Sequence, residues 1–155
     1  MFTLKEIARK NLASAVKEFG EDLAALPETA FGHHFGGKTR TVADIVYEVV
    51  LVNDHIGMVL RGEEPFAWPA GDWITAPAEF QAKDVVLERF RASSQVLLAT
   101  LEGFSEEELR GMIQMESGER TRFQRFEFMT WHLAYHSGQL NFIQALLGDD
   151  KMHWG

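Results

Sequence analysis

The sequence predicts an all-α chain folded as a four-helix bundle. Three observations carry that expectation. Four long segments repeat apolar residues at spacings of three to five, the period of one helix face. No strand-like alternation persists long enough to compete. Glycine or proline stands where each helix should stop, at Pro27, Gly62, Gly103 and Gly148.

The first helix is expected over 3–26, with Leu4, Ile7, Leu12, Val16, Phe19, Leu23 and Leu26 on one stripe. Residues 28–40 read as a loop broken by Gly32, Gly36 and Gly37. Thr41 suits an N-cap and Asp44 the third helical position, so a second helix should cover 42–60. A long crossover follows over 62–76, with Pro65, Pro69, Trp68 and Trp73. Pro77 opens a third helix over 78–101, which buries Val86, Phe90, Leu97 and Leu101. Ser105 with Glu108 forms a capping-box pattern for a short extra helix. Residues 111–120 are polar and irregular, and the last helix runs over 122–147. The tail beyond Gly148 should fray, with Trp154 a candidate to dock. One domain over 1–155 is expected, with the long crossover between helices two and three and the short helix before the last.

Composition narrows the function. The 155 residues are 46% hydrophobic, enough for a core without disulfides or a structural metal. A net charge of −8 disfavours nucleic acid as a partner. There is no cysteine, which removes thiolate nucleophiles and Cys-based zinc sites. No apolar stretch approaches the ~18 residues that span a bilayer. The N-terminal segment has no signal-peptide pattern, so a cytoplasmic location away from membranes is expected.

The chemistry points to histidine. His132 and His136, in His-Leu-Ala-Tyr-His, share one helix face a turn apart and could share one ion. The same spacing also arises as two satisfied polar groups. Leu133 stands where a metalloprotease carries its glutamate, so that reading is poor. His55 in the second helix is a candidate third ligand, or a core histidine bonded to a carbonyl. Glu48, two turns earlier on a similar face, is a candidate ligand, base or orienting carboxylate, or a solvated glutamate. Gln139 continues the His136 face and could orient water or substrate, or bond a neighbour. His33, His34 and His153 read as surface residues or as further groups near the ion, with His33 or His34 able to close a four-ligand shell.

His55, followed downstream by His132-x-x-x-His136-x-Gly138-Gln139, resembles the DinB/YfiT-like family. The resemblance covers nearly the whole chain in helix order and length. It implies a four-helix bundle with a three-histidine site on His55, His132 and His136. It implies a divalent ion, zinc or nickel first and iron possible, and often a homodimer. Related members activate a low-molecular-weight thiol for S-transfer or isomerisation. The expectation is therefore a metal-dependent thiol S-transferase or a hydrolase acting on a small molecule, with Glu48 and Gln139 as catalytic candidates. Two other readings stand beside it: a bundle that binds metal or ligand without turnover, and a helical interaction module without metal.

Overall fold

The computed structural model describes residues 1–71, 73–115 and 118–155. Residues 72, 116 and 117, in the crossover and in the 111–120 stretch, lie outside the described residues. The helices are α1 (Leu4–Ala25), α2 (Val42–Leu60), α3 (Lys83–Glu102), the short α4 (Glu106–Arg110) and α5 (Arg122–Leu146). Between the last two, β1 (Met112–Ile113) pairs antiparallel with β2 (Arg120–Thr121), Met112 opposite Thr121. Two residues per strand are too few to show alternation, which is why 111–120 reads as irregular in sequence. Among the described residues, no helix is long and apolar enough to cross a membrane.

Caps set the helix starts. Thr3, Thr41, Ser105 and Thr121 each accept from the N3 amide, and each N3 side chain accepts in return. Asp44 fills that role in α2 and also accepts the Ala76 amide at 2.7 Å, tying down the end of the crossover. The third helix starts later than the sequence suggests. Ala78–Phe80 forms a separate 3₁₀ turn behind Pro77 and buries Phe80 against Tyr47. The chain re-enters helix only at Lys83.

The four long helices form a ring: α1 packs on α3 and α5, and α2 on α3 and α5. Phe19, Leu12, Leu97, Leu101, Phe126, Met129 and Leu133 fill the middle and are essentially fully buried. The α2–α5 seam is the loosest of the four contacts. Sparse packing there leaves room between the two helices for polar side chains.

A buried carboxylate fixes the rotation of α5. Asp22 of α1 has no solvent exposure. Its Oδ2 accepts from Ser137 Oγ at 2.6 Å, Asn141 Nδ2 at 2.7 Å and Trp154 Nε1 at 3.1 Å. Its carbonyl accepts from Gln144 at 2.9 Å. With residues 137, 141 and 144 turned toward α1, the face carrying 132 and 136 turns toward α2. The tail is thus docked through Trp154 rather than frayed.

Asp22→Ala removes the acceptor shared by three partly buried donors, of which Asn141 keeps the Ser137 carbonyl, and is expected to cost roughly 1–3 kcal/mol. Urea unfolding checks this, with Asp150→Ala, at an exposed position, as the control within about 0.5 kcal/mol of wild type.

Candidate metal centre

The α5 core stripe Phe126, Met129, Leu133, Leu140 and Ile143 turns its flank to α2 and buries both histidines with it. His136 is 1% and His132 6% exposed. Their Nε2 atoms stand 3.1 Å apart. From α2, Glu48 presents Oε1 at 3.8 Å from His132 Nε2 and 3.7 Å from His136 Nε2. These donors are the one group of three or more among the described residues whose geometry suits a metal ion.

Each donor is held by a second contact. His136 Nδ1 donates to Gln139 Oε1 at 2.8 Å, so its Nε2 carries the lone pair that faces the group. His132 stacks on Phe128, and its buried Nδ1 makes no hydrogen bond among the described residues. Glu48 Oε2 is taken by Arg40 Nη1 at 2.5 Å, leaving Oε1 for the histidines. Arg40 is anchored by the Asp44 carbonyl at 2.8 Å and lies 5.5 Å from the centre of the Trp73 ring.

These surroundings set the charges. The imidazoles of His132 and His136 and the Arg40 guanidinium hold the Glu48 carboxyl well below the ordinary carboxylate range, against its partial burial. Of the three, Arg40 is the partner within hydrogen-bond distance. Burial pushes the His132 imidazole below its usual value, keeping it neutral. The group therefore holds the neutral imidazole of His132, the imidazole of His136 and a carboxylate whose charge Arg40 balances.

This donor set fits a divalent cation. Imidazole and carboxylate suit zinc, nickel and ferrous iron. Ligands about 2.0–2.2 Å from one ion, at right to tetrahedral angles, stand about 3–3.5 Å apart. The observed separations of 3.1, 3.7 and 3.8 Å are within a few tenths of an ångström of that.

His55 does not join the group. It lies two helical turns past Glu48, about 10 Å along the axis. Its ring packs edge-on against Phe66 and Trp68 of the crossover. Glu48 stands beside His132 and His136 where His55 is expected, and Gln139 accepts from His136. Arg40, a loop residue with no periodic signal, has no sequence feature that marks its contact with Glu48. His33 packs on Phe35, His34 bonds the Thr39 carbonyl, and His153 pairs with Asp149. The Ser137 hydroxyl donates to Asp22, away from His136.

Two cavities flank the group along the α2–α5 seam. One, about 370 Å³, begins at Arg40 and Gln139. The other, about 930 Å³, is lined by His55, Trp68 and Phe128. Neither is walled by Glu48, His132 or His136 themselves; Arg40 and Gln139 intervene on one side and Phe128 on the other. Glu48, 23% exposed at its side chain, is the open face of the group.

The model of the DinB superfamily matches residues 6–140. Among solved structures, the fold is similar to that of a conserved protein from Enterococcus faecalis, with a TM-score of 0.73 at 18% identity over 96% of this chain and 99% of that one. It is similar to a mycothiol-dependent maleylpyruvate isomerase, with a TM-score of 0.65 at 15% identity over 90% of this chain and 63% of that one. It is also similar to the colibactin self-resistance protein ClbS, solved in complex with a dsDNA, with a TM-score of 0.66 at 22% identity over 91% and 95%. At these identities the likeness is one of fold. No functionally curated protein matches the chain.

The pKa directions give a signed expectation for the metal-free protein. A histidine whose folded value lies below its unfolded 6.5 contributes stability above that pH and loses it as pH falls. Glu48 adds a second loss below about its ordinary 4.5. Thermal melts between pH 8 and 4 should show both, and His132→Gln should remove the upper step. A melt that is flat from pH 8 to 5 in wild type contradicts the assignment of His132 as a buried neutral imidazole.

Proposed function

The chain belongs to the DinB superfamily, and on that premise we propose that Glu48, His132 and His136 hold one divalent metal ion in an enzyme acting on small molecules. The carrying observation is the convergence of one carboxylate oxygen and two imidazole nitrogens from two helices at 3.1–3.8 Å. Zinc or nickel is the proposed ion, with ferrous iron third. A divalent ion held there would supply Lewis-acid chemistry, drawing down the pKa of a thiol or water that reaches it.

The side chains do the rest of the work. Arg40 occupies Oε2 of Glu48, so the carboxylate offers one oxygen and leaves room for a further ligand. Because Arg40 balances that carboxylate, the donor set is nearly neutral overall, as three imidazoles would be, and the cation's charge is preserved for its ligand. Gln139 fixes the His136 tautomer, and burial keeps His132 unprotonated, the state a metal needs. Access on the Glu48 side favours turnover over a closed structural site.

The reaction we propose is thiol S-transfer first and hydrolysis second. The fold likeness to a mycothiol-dependent isomerase supports the thiol. The net charge of −8 and cavities of a few hundred Å³ support a small molecule rather than nucleic acid as substrate. A homodimer, implied by the family resemblance, belongs to the same proposal, and light scattering tests it.

Untagged protein, purified without added metal, should carry close to one ion per chain by plasma mass spectrometry. Glu48→Ala, His132→Ala and His136→Ala should each fall to background with helicity retained, while His55→Ala keeps its ion. Arg40→Gln and Gln139→Ala, which remove contacts to the donors, should weaken affinity about 10–100-fold. Full metal content in Glu48→Ala together with its loss in His55→Ala would sink the assignment.

A further inference from the structure

We propose that the cavity beginning at Arg40 and Gln139 binds a small apolar anion, such as an aromatic or aliphatic carboxylate, laid over the bare backbone of Gly138. The inference deepens the reading above and rests on it for the claim that this ligand is the substrate or co-substrate.

The first observation is a glycine without a reason inside the chain. Three glycines stand in helix interiors, Gly20, Gly57 and Gly138. A Cβ at Gly20 would meet Phe90 at 3.5 Å, and one at Gly57 would meet Arg61 at 3.2 Å. At Gly138 it would meet nothing within 4 Å. Glycine weakens a helix relative to alanine, and no tight approach within this chain requires it at 138. Space above that position is kept for something the chain does not supply.

The second observation is the cavity around it. Gly138 sits between His136, a proposed ligand, and Gln139, the partner of that ligand. The wall opposite holds Trp73 and Phe35, and α5 contributes Tyr135 and Phe142. A volume of about 370 Å³ with mostly apolar walls and a few convergent polar groups is the form of a small-molecule site.

The third is charge. In a chain of net charge −8, the charged residues lining this cavity are both cations, Lys38 and Arg40. Arg40 is committed to Glu48. Lys38 is exposed and makes no ion pair among the described residues, which leaves it to meet an anionic end of the ligand. The apolar body then lies along Gly138, and the far end points toward Gln139 and the metal group.

The test uses 8-anilinonaphthalene-1-sulfonate, an apolar anion, and N-phenyl-1-naphthylamine, its uncharged counterpart, titrated against the full chain by probe fluorescence. Gly138→Leu should weaken the anion at least about tenfold by filling the space. Leucine is the better helix former, and circular dichroism checks that the fold is kept. Lys38→Gln should weaken the anion about threefold and leave the uncharged probe unchanged. Metal content should be unchanged in both variants. His132→Ala should lose metal yet still bind the anion, so failure of the metal site and failure of this cavity read out separately. Wild-type anion affinity in Gly138→Leu overturns the proposal. So does equal loss of both probes in Lys38→Gln. A dimer that Gly138→Leu dissociates also overturns it, since a second copy would then fill the space.

Discussion

Two imidazole nitrogens 3.1 Å apart in a buried site need a positive particle between them, either a proton or a metal ion. Everything around His132 and His136 bears on which one it is. Gln139 Oε1 accepts from Nδ1–H of His136, which turns the Nε2 side of the ring toward His132. Burial opposes a charged His132. Glu48 brings a carboxylate oxygen to the same point from the neighbouring helix. A single shared proton can satisfy the two nitrogens, but it gives no role to Glu48 Oε1, the carboxylate oxygen that Arg40 does not take. A divalent cation satisfies all three donors at once.

Holding that arrangement costs the fold polar burial, and the bundle offsets it with fixed contacts. Arg40 neutralises the carboxylate where sparse packing on the α2–α5 seam would leave it half-solvated. It is itself held by the Asp44 carbonyl, and Asp44 in turn caps α2 and secures Ala76. On the far side, Asp22 gathers Ser137, Asn141 and Trp154 and sets the rotation of α5. The rotamers of the donors therefore depend on two aspartates that never touch them.

Much of the bundle was legible in the sequence because its signals are local. Thr41 with Asp44, and the 3–4 spacing of the α5 stripe, fix where those helices start and which way they face. The His132–His136 pair follows from that spacing alone. The third donor was not fixed in the same way. Glu48 and His55 are seven residues apart and share one face of α2, so periodicity cannot separate them. What separates them is the axial register of α2 against α5, which is set by the loop before Thr41 and the crossover after Leu60. Neither segment has a period to read. The sequence points to the imidazole of His55, and in the structure it is the Glu48 carboxylate that lies beside His132 and His136. Arg40 was illegible for the same reason, being a loop residue whose partner is decided by that register. Asp22 was illegible too: it stands beside Glu21, and the sequence does not tell the buried acid from its partly exposed neighbour.

The central claim is that one ion is held by two imidazoles and one carboxylate. X-ray absorption at the zinc edge, on untagged protein loaded with one equivalent, counts imidazoles through their outer-shell scattering. The account predicts two, with a nitrogen and oxygen first shell near 2.0–2.2 Å. Three imidazoles would return His55 to the site and contradict it, and a first shell of water oxygens alone would remove the site altogether.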